Sequence, residues 1–209
     1  MAVQSPTEMG HAVQKITADE DFHIPSKSPM VDADQFIKLN LACGQQQREG
    51  WKGVDRVAGP NVDYVVDLLK YPWPFADNSI YEIGCSHFVE HLTDLVSFMR
   101  ECHRILQPLQ TMTIVCPYYS SRRAWQDPTH VRAITEDTFR YFDPEWAKLI
   151  RVDHYMNDGS TGFEVINTIM MYNNEYESKG EEARMWALAH NINVVDDITV
   201  ILRKRDVPK

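Results

Sequence analysis

The segment KLNLACGQQQREGWKGVD, residues 38 to 55, constrains the fold more than any other stretch of the chain. It starts as an alternating strand, breaks at Gly44, and returns through a second short run that ends on an acid, Asp55. An α/β protein that holds an adenosine-bearing cofactor at the carboxyl ends of its strands has this layout. The glycines exclude a dinucleotide. That fingerprint needs G-x-G-x-x-G opening a full helix, with an acid about 20 residues further on. Here the corresponding positions are Ala42, Gly44 and Gln47, and Asp55 follows Gly44 by only eleven residues. The first crossover is therefore expected to be little more than a turn.

Further along, FIKLNLA (36–42), the short KGVDRV and VDYVVDL (62–68) predict three strands, with Gly59 and Pro60 turning the chain between the last two. YPWPFADNS is a proline-punctuated loop, and IYEIGCS (80–86) is a fourth strand. The apolar period then changes to 3.6. Leu92, Val96, Met99, Ile105 and Leu106 share a helical face, with Thr93 as the expected cap and Asp94 in the first turn. TMTIVCP (111–117) predicts a fifth strand, and ITEDTFRYFDPEWAKLI has helical content after a long irregular stretch. FEVINTIMMYN (163–173) and INVVDDITVILRKR (192–205) predict two terminal strands with a helix, EEARMWALAH, between them. Strands this rich in Val, Ile and Leu, joined by a helical crossover, predict a Rossmann-like α/β fold whose mostly parallel sheet carries helices on both faces.

At 209 residues one domain is expected, over 34–209, with the polar and aperiodic residues 1–33 as an arm or lid. A net charge of −9 argues against non-specific nucleic-acid binding, which needs a cationic surface. No run approaches the roughly 20 apolar residues of a membrane span, and the first thirty residues hold no signal-peptide core. Cys43, Cys85, Cys102 and Cys116 form no C-x-x-C pair, so a reduced, cytoplasmic compartment is expected. The sequence is silent on oligomeric state.

A short first crossover suits a cofactor without a pyrophosphate, and S-adenosylmethionine is one. LNLACG, GWKGVD, VVDLLKYPWPFADNSIYEIGCSHFVEHL and FMRECHRILQP together resemble the class I S-adenosylmethionine-dependent methyltransferases of the small-molecule type, over about residues 36 to 143. The resemblance implies a seven-stranded sheet in the order 3-2-1-4-5-7-6, with the last-formed strand antiparallel. It also implies that Asn40, Ala42 and Gly44 line the methionine end of the cofactor. On the same basis Asp55 accepts from both ribose hydroxyls, Asp67 and Leu68 flank the adenine, and Ser86 and His87 stand near the transferable methyl. The chain departs from the family pattern twice. Ala42 replaces the first glycine of the loop, and LQPLQ (106–110) replaces a lysine-proline-glycine-glycine turn.

HFVEH (87–91) also matches H-x-x-E-H, an inverted zinc-peptidase signature using His87, Glu90 and His91, with Glu164, Glu175 or Glu177 open as a further ligand. A strand running directly into His87 argues against that reading, and no metal is expected. His87 or His91 facing the acceptor, or a histidine hydrogen-bonded beneath the loop, are both open. The acceptor is sought in PYYSSRRAWQDPTHVRAIT (117–135), since long loops in compact domains are often binding loops. Asp127 and His130 are the candidate orienter and base, Arg122 and Arg123 the grip on an anion, and Tyr118, Tyr119 and Trp125 the flat faces. A turn capped around Pro128 with solvated arginines is the competing reading. The expected activity is methyl transfer to a small polar acceptor, a sugar or an anionic metabolite. A protein side-chain acceptor and a non-catalytic cofactor-binding partner subunit are the alternatives.

Overall fold

The computed structural model describes residues 36–156 and 161–206, so the expected arm lies outside the described residues. Seven strands form one sheet: β1 (Lys38–Leu41), β2 (Lys52–Asp55), β3 (Tyr64–Val65), β4 (Ile80–Ser86), β5 (Leu106–Pro117), β6 (Phe163–Tyr172) and β7 (Val195–Lys204). Their order is β3-β2-β1-β4-β5-β7-β6, with β7 antiparallel to both neighbours. That is the expected topology. The helices are α1 (Leu95–Ile105), α2 (Arg123–Gln126), α3 (Pro144–Leu149), α4 (Asp153–Met156), α5 (Asn174–Glu177) and α6 (Glu181–His190). No helix stands between β1 and β2, as the short crossover requires. No described helix is long and apolar enough to cross a membrane.

Period-two alternation sorts the strand side chains between two faces. Leu39, Ile83, Met112 and Leu202 are register partners across four strands, and Leu41, Cys85, Ile114 and Val200 form the next row. All eight are buried, and α1 adds Phe98, Met99, Cys102 and Ile105 to the same core. Each such side chain contributes about 1.5–3 kcal/mol relative to exposure. The opposite face carries Lys38, Asn40, Glu82, Ser86, Thr113, Val115 and Thr199, all half-buried.

Asp94, not Thr93, is the N-cap of α1, because its carboxylate accepts the Ser97 N–H at 2.9 Å. His103 and Arg104 occupy the last turn, where the helix dipole favours cations. Arg104 also fastens the proline-punctuated loop to α1. Its guanidinium donates to the Phe75 and Trp73 carbonyls and to Glu101, whose Oε1 accepts the Trp73 N–H at 2.6 Å. LQPLQ makes no turn. It bulges inside β5, where the pairing jumps from Ile80↔Leu106 to Glu82↔Thr111 and Leu109 takes a φ of 65°.

Candidate active site

Asp55 ends β2 with its carboxylate turned back under the first loop. Oδ2 accepts the Gly44 N–H at 2.8 Å, and Oδ1 accepts the Val57 N–H at 3.2 Å. Each carboxylate oxygen retains a lone pair for a further donor. The loop reaches this position through two left-handed residues, Ala42 (φ 52°) and Gly44 (φ 53°). For Ala42 that backbone is strained, a condition that collects at functional sites. Gly53, in β2, has no room for a side chain, since a Cβ would lie 1.9 Å from the Asn61 carbonyl oxygen. The obstacle is backbone, so Gly53→Ala should cost about 3 kcal/mol of stability, the upper end for overpacking. Chemical denaturation of the variant checks this.

At the carboxyl ends of β1, β2, β3 and β4 lies a cavity of about 300 Å³. Ala42, Asp55, Asp67, Leu68 and His87 line it together, with Arg56, Val66, Leu69, Phe88 and His91. The volume is at the lower end for small-molecule sites. Asp67 Oδ1 accepts the Leu69 N–H at 3.1 Å, which fixes the turn that presents Leu68. Asn40 and Ser86 lie elsewhere. They line a separate hollow of about 190 Å³ with Gly84, Thr113 and Val115. Asn40 and Ser86 lie on the half-buried face of the sheet, whereas Ala42, two residues past Asn40, has left β1 in a left-handed turn. Gly44 lines neither space, and its role in the structure is the backbone N–H that holds Asp55.

Two separate sequence segments combine beside His87. The 3₁₀ turn Val89–His91 receives residues 127–132 on its back. Val131 N–H donates to the Glu90 carbonyl at 2.9 Å, and Arg132 donates to the Leu92 and Thr93 carbonyls at 2.8 and 3.0 Å. Glu90 is 1% exposed, and among the described residues neither of its carboxylate oxygens has a partner within hydrogen-bond geometry. His87 follows β4 in a left-handed conformation (φ 53°), with Nδ1 3.4 Å from Glu90 Oε1. The Glu90 carboxylate raises the His87 pKa above the usual imidazole value, against partial burial, which lowers it.

Asp127 and His130 do not form the expected hydrogen-bonded pair. Asp127 Oδ2 stands 4.0 Å from His130 Nε2, while Oδ1 accepts from the Thr129 N–H at 2.8 Å and the Thr129 hydroxyl at 2.7 Å. A local Asx turn has captured the carboxylate. Thr129 Oγ1 in turn contacts His91 Nδ1 at 2.9 Å. His130 is mostly buried and meets the Ala124 carbonyl through Nδ1 at 3.1 Å.

The two arginines divide. Arg122 is exposed, but Arg123 forms an ion pair with the buried Asp197 of β7. Burial raises the Asp197 pKa, and Arg123 opposes the rise. Tyr118 is buried and donates to Glu136 at 2.9 Å, so its ring is closed to a ligand. Trp125 is 65% exposed and donates its indole N–H to the Tyr119 carbonyl at 2.8 Å. Cys43, Cys85, Cys102 and Cys116 are all free and buried, and burial pushes the thiols of Cys85 and Cys116 up, away from nucleophilic use. Glu164, an open candidate for a metal ligand, pairs with Arg203 at 2.6 Å at the far end of the sheet. Sequence reasoning missed Phe88 and Asp197. An acid inside the β-branched run VVDDITV was the available signal for the second.

Residues 38–114 match the methyltransferase domain family. Among curated proteins none matches the chain. Among solved structures, an S-adenosylmethionine-dependent methyltransferase from Archaeoglobus fulgidus superposes with a TM-score of 0.57 at 17% identity, over 82% of this chain and 87% of that one. A chain of the Haloferax volcanii complex between a methyltransferase activator and a methyltransferase gives 0.50 at 12% identity, over 90% and 89%. At these identities the likeness shows the fold, and the domain match concerns residues 38–114. Its strand order, its β2 acid and the match across β1 to β5 make the chain similar to the class I S-adenosylmethionine-dependent methyltransferases, with which it shares the fold.

Proposed function

We propose that this protein transfers the methyl group of S-adenosylmethionine to a small polar acceptor, a sugar or an anionic metabolite, with His87 taking the acceptor's proton. One observation carries the reading: a single cavity brings Asp55, Ala42, Asp67 and Leu68 together with His87. The residues fit the cofactor. Asp55 offers carboxylate oxygens to a ribose diol, Val66, Leu68 and Phe88 offer apolar surface to a base, and Gly44 keeps the acid in place. When bound, S-adenosylmethionine supplies an electrophilic methyl group. The chain's own contribution is alignment, worth on the order of 7 to 11 kcal/mol in favourable cases, and a base for an O–H or N–H acceptor.

His87 is better placed for that role than His130. It lines the cavity, and the Glu90 carboxylate beside it stabilises the imidazolium that proton transfer creates. Arg123 and Asp197 act on His87 electrostatically, with opposite signs. Exposed Arg122 and Trp125 then supply a cation and a flat face for an anionic or sugar acceptor. The test is a thermal-shift titration with S-adenosylhomocysteine, followed by labelled-methyl transfer into metabolite fractions. A rise in melting temperature with label in a polar small molecule is expected. Binding without label transfer in any fraction would favour the non-catalytic subunit, and no shift would remove the reading.

A further inference from the structure

The geometry points to a divalent metal site, built by Glu90, His91 and His130, on the wall of the cofactor cavity. One ligand atom from each residue lies within 4.8 Å of the others. Glu90 brings a carboxylate that is 1% exposed with neither oxygen hydrogen-bonded. A buried carboxylate requires a cationic partner or a set of donors, and among the described residues Glu90 has only His87 Nδ1 at 3.4 Å and His130 Nε2 at 4.0 Å beside Oε1, with nothing on Oε2.

Proton placement shows why a cation fits. His130 Nδ1 faces the Ala124 carbonyl at 3.1 Å, and a carbonyl can only accept, so Nδ1 carries the hydrogen. In the neutral ring Nε2 then presents its lone pair toward Glu90 Oε1, 4.0 Å away. Two acceptors face each other across a gap too long for a hydrogen bond, yet within the span of two ligand bonds of about 2.0–2.2 Å each. For His91, the Thr129 hydroxyl donates to Asp127 at 2.7 Å, so its oxygen accepts the His91 Nδ1–H at 2.9 Å. His91 Nε2 is left with the lone pair. Each imidazole thus spends one nitrogen on an orienting partner and keeps the other free, the usual arrangement around a bound metal.

The scaffold is fixed as well. The Val131 N–H and the Arg132 guanidinium bind the 127–132 loop to the turn that carries Glu90 and His91. Two imidazoles and one carboxylate suit a borderline divalent ion of the Zn²⁺ class, with a coordination position left over. His91 also lines the cofactor cavity, which gives an ion there access to whatever occupies it. This differs from the expectation of no metal, and also from H-x-x-E-H chemistry. Here Glu90 is a ligand, His130 replaces His87, and the third residue arrives from a loop 40 positions along the chain, counting from Glu90 to His130. The inference shares Glu90 with the methyltransferase reading, where that carboxylate stands 3.4 Å from His87 Nδ1, and its test reads metal binding alone.

The experiment measures metal binding and no turnover. Chelator-treated protein is titrated with Zn²⁺ by calorimetry and with Co²⁺ by visible absorption. One equivalent per chain is expected, with d–d bands of a low-symmetry site and a raised melting temperature. Glu90→Gln and His130→Gln should each weaken binding by more than roughly 100-fold, the upper end for loss of a residue that only orients a ligand. Thr129→Val should fall within that smaller, roughly 10- to 100-fold range. His103→Gln, a half-buried histidine packed edge-on against Phe163, should change nothing. If Glu90→Gln fails to fold, His91→Gln takes its place. Absence of stoichiometric binding overturns the assignment, and so does binding that survives in folded ligand variants.

Discussion

Replacing Asp55 with alanine should weaken S-adenosylhomocysteine binding by about 1.5–3 kcal/mol, roughly 10- to 150-fold, the range for hydrogen bonds to a charged group. Two contributions combine in that loss. The carboxylate lines the cavity and offers acceptors for a diol, and it also holds the Gly44 N–H at 2.8 Å and the Val57 N–H at 3.2 Å. Without it, the left-handed turn at Ala42 and Gly44 loses its anchor, so the cavity wall loosens as well. Asp55→Asn separates the two. It keeps an oxygen for one backbone N–H but gives up the charge, and should fall between wild type and alanine. Calorimetry with unchanged affinity in Asp55→Ala would remove the ribose assignment.

The sheet was largely legible before any coordinates because its information is local. IYEIGCS becomes β4 with the same bounds, Ile80–Ser86, and the acid that ends GWKGVD ends β2. Strand order followed from the resemblance rather than from any spacing. The cavity was legible in part. Ala42, Asp55, Asp67, Leu68 and His87 meet there, whereas Asn40 and Ser86, close in sequence to Ala42 and His87, line the other hollow. Ala42 and His87 each follow a strand end in a left-handed conformation, φ 52° and 53°, and the loop motif does not encode where the strand stops.

The acceptor side was less legible because its partners are distant in the chain. Asp127 and His130, three apart, look like a pair, but a backbone turn at Thr129 competes for the carboxylate and wins. Arg123 looks like a free anion grip until Asp197, 74 positions away, neutralises it. HFVEH and DPTH each carry a signal alone. Their joint meaning depends on a loop packing against a turn, which only the fold supplies.

His87→Asn should lower kcat by about 10²- to 10⁴-fold, the usual contribution of a positioned base, while S-adenosylhomocysteine affinity stays within a few-fold of wild type. Asparagine is the informative replacement. His87 sits at φ 53°, a conformation that Asn tolerates and that Ala would resist, so the variant removes the imidazole without forcing the β4–Val89 junction to rebuild. The His87 N–H can continue to donate to the Val115 carbonyl at 2.8 Å, which keeps the end of β4 aligned with β5. A residue that only shaped the cavity would change binding and turnover together. A base changes turnover alone, because the proposed diol and adenine contacts are those of Asp55, Leu68 and Phe88. Equal kcat in His87→Asn would therefore transfer the proton-accepting role to another group, and His91, held by Thr129 on the same cavity wall, is the next residue to replace.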